Sequence, residues 1–265
     1  MTENTEQPGE AAGHADHHAP DGIRTRGTVV VVPGRGESPA TYARLGRRLA
    51  ADAYRVRVVD TPDIDPDDLS GSLARFGARL ADAVAATASG DGVVQPVVLV
   101  AADTGAAAVA ALLSRTDLAA ARLPRAVVLA GLPGRAAAAG GGWEDELDVR
   151  TSCPVHRDTL THDPLVRRGR LAAPVPEALL AAAYGGGIAV PALLLIGDAD
   201  PLADRDAVAH LAKSLPRARL AVVRGAHHDV LNDVQHRSVA AETVTFLETL
   251  RNDLVPVIAV ESSGW

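Results

Sequence analysis

The stretch Val97-Val98-Leu99-Val100-Ala101-Ala102-Asp103-Thr104-Gly105-Ala106-Ala107-Ala108 changes character at its centre. An unbroken apolar run gives way to one carboxylate, a glycine and an alanine-rich segment. A continuous apolar run, unlike an alternating one, predicts a strand covered on both faces, as in a parallel sheet flanked by helices. Alanine is the strongest helix former, so a helix is expected to follow. Small residues on either side of Asp103 permit a sharp strand-to-helix turn that lifts a single side chain above the sheet. The plainer reading is that Asp103 only caps the helix.

The same rhythm extends outward. Further apolar runs lie at Thr28–Val32, Val56–Val59, Ala126–Ala130, Ala192–Ile196 and Arg219–Val223. Helical periodicity marks Pro39–Ala51, Pro66–Ala88, Gly105–Arg115, Arg205–Leu215 and Arg237–Leu250. In the last, Val239, Thr243, Phe246, Leu247 and Leu250 recur at spacings of three and four, giving one face with a single partly polar member. The pattern predicts an α/β protein with a doubly wound, mostly parallel sheet.

Residues 1–22 are polar and poor in large aliphatics, and are expected to be a disordered tail in which His14, Asp16, His17 and His18 could take up a stray metal. A single domain is expected over 23–265, interrupted by a proline-punctuated insertion at about 132–188. Such an insertion is expected to cover the carboxyl ends of the strands, where open α/β sheets hold ligands. Val255–Val260 is expected to add an edge strand or fold over the surface.

Composition narrows the function. The 265 residues are 47% hydrophobic with a net charge of −7 and one cysteine, Cys153, which excludes a disulfide framework or a multi-cysteine metal site. An acidic balance without basic clusters argues against nucleic acid. With no membrane span or signal pattern, a cytoplasmic protein is expected, its partner a small-molecule substrate. No cofactor motif is present, and neither cofactor nor metal is expected. Oligomeric state is not legible.

Two further segments place chemistry after strands. Gly197-Asp198-Ala199-Asp200-Pro201 follows one run, and Gly225-Ala226-His227-His228-Asp229-Val230-Leu231-Asn232-Asp233 follows the last. A carboxylate, an acid loop and a histidine loop thus occur in the order nucleophile, acid, base. From Thr28 to about Leu250 the chain resembles the α/β-hydrolases of the monoacylglycerol lipase or lysophospholipase type, the serine aminopeptidase S33 kind. Pro33-Gly34-Arg35-Gly36-Glu37-Ser38 with Tyr42 is similar to that family's H-G-x-G-E loop. Asp163-Pro164-Leu165-Val166 is similar to its cap motif, and His228 to Asp233 to its H-E-x-x-N-E segment. The resemblance implies Asp200 as acid and His228 as base, with Asp198 and His227 as the competing neighbours. It also implies an oxyanion hole from the backbone N–H groups of Arg35 and Thr104. Where the family has its nucleophilic serine, this chain has Asp103.

That exchange changes the expected reaction. A carboxylate is already ionised near neutrality, but its attack on an ester would leave a reactive anhydride. It suits an sp³ carbon bearing a leaving group, an epoxide or an alkyl halide, giving an alkyl ester that His228-activated water then cleaves. Haloalkane dehalogenases and epoxide hydrolases usually carry Trp after the nucleophile, where Thr104 stands here. Candidate substrate contacts are Gly34 in the loop and Trp143 and Tyr184 in the insertion, with His156 and His162 as further proton donors. The alternatives are Asp103–His228 proton transfer in a lyase, isomerase or cyclase, and a binding protein on a retired hydrolase scaffold. Glu144, Asp145, Glu146 and Asp148 are read as a solvated acidic face, Arg167, Arg168 and Arg170 as a solvated basic run, and Cys153 as an inert filler.

Overall fold

A computed structural model of the protein describes residues 14–90, 92–115, 124–136 and 141–262. Strands β1 (His14–His17), β2 (Gly27–Val32), β3 (Tyr54–Val59), β4 (Val97–Ala102), β5 (Ala126–Ala130), β6 (Ala192–Gly197) and β7 (Ala218–Val223) form one sheet. Its order is β1-β3-β2-β4-β5-β6-β7, and every pairing is parallel except β1 on β3. The central strands β2, β4, β5 and β6 are buried along their whole length, which is why their sequences do not alternate.

The helices are α1 (Ala43–Ala51), α2 (Leu69–Ala85), α3 (Asp103–Leu113), α4 (Trp143–Arg150), α5 (Pro154–His162), α6 (Glu177–Ala183), α7 (Arg205–Ser214) and α8 (His236–Arg251). Successive strand residues point to opposite faces and so divide the core. Val29, Val31, Val98 and Val100 pack with α1 and α8, whereas Val30, Val32, Leu99 and Ala101 pack with α2, α3 and α7. The predicted stripe on α8 is buried, and Thr243 satisfies its hydroxyl on Val239 O at 2.9 Å. Every residue of α3 is buried, since its alanines let the sheet and α6 approach closely. Pro39–Ala51, expected as one helix, divides into a 3-10 turn at Pro39–Tyr42 and α1.

The insertion between β5 and β6 supplies α4, α5, a 3-10 turn at Arg170–Ala172 and α6. Two expectations about the ends need correction. His14–His17 is not disordered: it pairs antiparallel with β3, His14 opposite Val59, and Arg57 clasps Asp16 at 2.7 and 2.5 Å. The unpaired backbone of the β3 edge recruits it without any need for apolar side chains; residues 1–13 lie outside the described part. Val255–Val260 forms no strand, and Val255, Val257, Ile258 and Val260 are 59%, 67%, 78% and 77% exposed. Among the described residues no helix is long and apolar enough to cross a membrane.

Candidate active site

Asp103 opens α3 with a φ of 46°, a left-handed conformation that costs a non-glycine residue about 1–3 kcal/mol. The turn closes because Gly105 lets α3 approach the end of β2. A Cβ there would sit 2.4 Å from Pro33 O. Gly34 faces the turn from the loop after β2, where a Cβ would meet that of Asp103 at 2.7 Å. The sharp turn expected at Ala101–Gly105 is therefore formed, with Asp103 at its apex.

The Asp103 carboxylate is 3% exposed and engaged on both oxygens. Oδ2 accepts the Arg35 backbone N–H at 2.7 Å and Arg35 Nε at 2.9 Å. Oδ1 accepts Arg35 Nη2 at 2.9 Å and lies 3.1 Å from His228 Nε2. On the far side of the ring, His228 Nδ1 is 2.9 Å from Asp200 Oδ2. Each ring nitrogen faces a carboxylate oxygen, an arrangement that favours the doubly protonated imidazolium. Burial opposes charge on both groups. Even so, Arg35 and His228 hold the Asp103 carboxyl well below the usual carboxylate range, and Asp200 with Asp103 pushes His228 up to about 10. Two carboxylates are balanced by one guanidinium and one imidazolium.

The neighbours are also sorted out. Asp198 accepts the Gly225 N–H and His227 pairs with Asp233 at 3.0 Å, so of each neighbouring pair it is His228 that meets Asp103 and Asp200 that meets His228. Of the two residues expected to supply an oxyanion hole, Arg35 has its N–H on the Asp103 carboxylate. Thr104 is the next residue of α3, with its Oγ1 3.4 Å from Asp103 Oδ2, in the first helical turn where N–H groups lack intrahelical partners. Gly34 lies against Asp103. Trp143 is committed within the insertion, its Nε1 donating to Thr161 at 3.1 Å and its ring lying 4.9 Å under the Arg168 guanidinium. Tyr184 donates to Pro133 O at 3.1 Å, in the field of Asp204 and Asp200.

The Arg35 side chain is the feature that sequence reasoning missed. Its fork covers Asp103, while Nη1 donates to Ala173 O at 2.6 Å in the insertion. Below it runs a second buried layer. Arg150, 1% exposed, donates to Arg35 O at 2.6 Å and to Glu146 at 2.9 Å. Glu146 is thus not part of a solvated face, although Glu144 and Asp148 pair with Arg157 near the surface. His156 is not a free proton donor but is bound to Asp229 at 2.9 Å. His162 is exposed on α5. The His228 and Asp229 N–H groups donate to Val149 O and Arg150 O at 3.2 and 2.8 Å, so the end of α4 holds the histidine loop.

The family model of the serine aminopeptidases S33 matches residues 23–235, and the chain belongs to that family of α/β-hydrolases. Its fold is shared with a soluble variant of monoglyceride lipase from Saccharomyces cerevisiae, solved with a substrate analogue. That match has 14% identity and a TM-score of 0.67, covering 89% of this chain and 91% of that one. It is shared also with the monoacylglycerol lipase of Paleococcus ferrophilus, at 18% identity and a TM-score of 0.64 over 89% and 98% of the two chains. MenH from S. aureus is similar at 14% identity and a TM-score of 0.54, over 91% and 100%. No curated protein sequence matches.

Proposed function

We propose that this chain hydrolyses a small, neutral organic electrophile, an epoxide or a related C–O or C–X compound, through a covalent alkyl ester on Asp103. The observation that carries the reading is the position of the Asp103 carboxylate, with Oδ2 on the Arg35 N–H and Oδ1 against His228 Nε2. Such a carboxylate is already seated as the ester would be, with one oxygen in the anion-stabilising position and the other toward the general acid–base. The balanced charge of the site favours a neutral substrate.

In the first step an Asp103 oxygen bonds to the electrophilic carbon and the C–O bond of the epoxide breaks. The proton on His228 Nε2 passes to the leaving oxygen, which leaves the ring neutral. Arg35, released as Asp103 loses its charge, turns its donors to that oxygen. In the second step neutral His228, oriented by Asp200, takes a proton from water, and the hydroxide adds to the ester carbon. The developing oxyanion stays on the Arg35 N–H. Collapse returns the diol, the Asp103 carboxylate and the imidazolium, so the cycle is closed in protons.

Intact-protein mass tests this directly. His228→Gln incubated with alkyl halides, whose departing halide needs no proton from the ring, is expected to accumulate an alkyl adduct that maps to Asp103 and is absent from His228→Gln/Asp103→Asn, while epoxides and activated esters in the same panel leave none. Wild-type turnover without an adduct would favour proton transfer without hydrolysis. The guanidinium lying on both carboxylate oxygens favours a second reading, ligand binding without turnover. Saturable binding unaffected by Asp103→Ala, with no reaction of any panel member, would support it.

A further inference from the structure

Beneath the loop that carries Arg35, three side chains from separate elements converge. Glu37 follows β2, His156 lies in α5 and Asp229 follows His228 in the loop after β7. One potential ligand atom from each lies within 4.8 Å of the other two, and all three residues are buried. His156 Nε2 and Asp229 Oδ2 are 2.9 Å apart.

Glu37 is held by one oxygen only, whereas Asp229 is engaged on both, its Oδ2 by His156. Glu37 Oε2 accepts the Gly34 N–H at 2.7 Å and the Tyr42 hydroxyl, and Asp229 Oδ1 accepts Arg150 Nη1 at 3.4 Å. Glu37 is 7% exposed, and its other oxygen, Oε1, is buried with no hydrogen-bond partner. Leaving a buried carboxylate oxygen unmatched is costly. Outer donors that fix one carboxylate oxygen while the second points inward are the usual surroundings of metal ligands.

The charges point the same way. Three buried carboxyl groups, Glu37, Glu146 and Asp229, lie near the guanidinium of Arg150, and burial together with Asp229 pushes the Glu37 carboxyl up to about 7, a penalty on its ionised form that a bound cation would relieve. Ligands at about 2.1 Å from an ion stand about 3.4 Å apart at tetrahedral angles, between the 2.9 Å of His156 and Asp229 and the 4.8 Å that bounds the cluster, so small side-chain adjustments would bring the three donors onto one ion.

We infer that Glu37, His156 and Asp229 form a buried divalent-cation site, suited by its mixed imidazole and carboxylate donors to zinc or manganese. The sequence carried no metal motif because its three donors are scattered over nearly two hundred positions. The ion would join the oxyanion loop, the insertion and the loop bearing His228, a structural tie distinct from the Asp103 chemistry.

The test uses the full chain carrying His14→Ala and His18→Ala, which removes imidazoles from the tail. After stripping with chelator, exposure to zinc chloride and desalting, elemental analysis is expected to find about one zinc per chain. Glu37→Gln and His156→Gln in the same background are expected to lose it, and Tyr42→Phe to weaken retention about tenfold. Asp103→Asn should retain it, so failure here and failure of the hydrolase reading remain distinguishable. Zinc no higher than in stripped protein never exposed to zinc, or undiminished from the parent in both ligand variants, would overturn the inference. If neither ligand variant folds, X-ray absorption at the zinc edge of the parent decides. One imidazole with carboxylate oxygens supports the site, and two or more imidazoles reject it.

Discussion

Arg35 is tied to Asp103 by a two-pronged contact with almost no access to water, so the two residues must be considered together. Truncation to Arg35→Ala leaves two carboxylates, Asp103 and Asp200, facing one imidazolium, and is expected to destabilise the protein by about 3 kcal/mol. The double variant Arg35→Ala/Asp103→Ala should lose less than the sum of the two singles. Urea denaturation of the four proteins measures this; simple additivity would mean that the pair does not interact. Arg35→Lys should not restore the clamp, because a lone ammonium cannot match both carboxylate oxygens in plane. Asp103 was legible because it stands directly after an apolar run, whereas the acid and histidine loops were legible as segments and only the family resemblance separated Asp200 from Asp198 and His228 from His227. The guanidinium was not, because its reach to a residue 68 positions away leaves no trace in local spacing. Glu146 was hidden differently, within an acidic run whose other members do face solvent.

Among the elements, the junction of α4 and α5 depends on Asp233. Its Oδ1 accepts Thr151 Oγ1 at 2.7 Å and Ser152 N at 3.0 Å, and its Oδ2 accepts His227 N at 2.7 Å. Burial works against its ionisation, but these donors prevail and bring its carboxyl down to about 2. A folded value below the unfolded one of about 3.9 means stability present above pH 4 and lost as the pH falls through 2. Asp233→Asn is therefore expected to cost about 2 kcal/mol at pH 7, with the gap to wild type closing between pH 4 and pH 2. Denaturant titrations across that range check it; a constant gap would assign the loss to packing instead. At the other end of the site, Gly105→Ala should lower the melting temperature markedly, since its new Cβ would press on the backbone carbonyls of Pro33 at 2.4 Å and Val32 at 2.9 Å. The central strands could be read from sequence because burial on both faces demands unbroken apolar runs. His14–His17 could not, because what makes it a strand is the free edge of β3 rather than anything apolar in His-Ala-Asp-His.

For the molecule as a whole, β1 decides how the sheet ends. Val56 and Val58 are buried in β3, and pairing with β1 occupies the outward hydrogen-bonding groups of that strand. Deleting residues 1–17 is expected to expose this edge and promote self-association, because an unpaired strand edge is a template for further pairing. Light scattering at matched concentrations should show larger species than the full chain; an unchanged distribution would mean that β3 tolerates its open edge. The Arg35 clamp has a consequence of another kind. Through Nη1 the same guanidinium that covers Asp103 donates to Ala173 O, and through its carbonyl the residue accepts from Arg150. The insertion and the Asp103 turn are therefore not interchangeable modules. A graft of this insertion onto a relative would carry across carbonyls with no guanidinium to meet them. A foreign insertion received here would leave Arg35 Nη1 without the Ala173 carbonyl and so loosen the guanidinium that lies on Asp103.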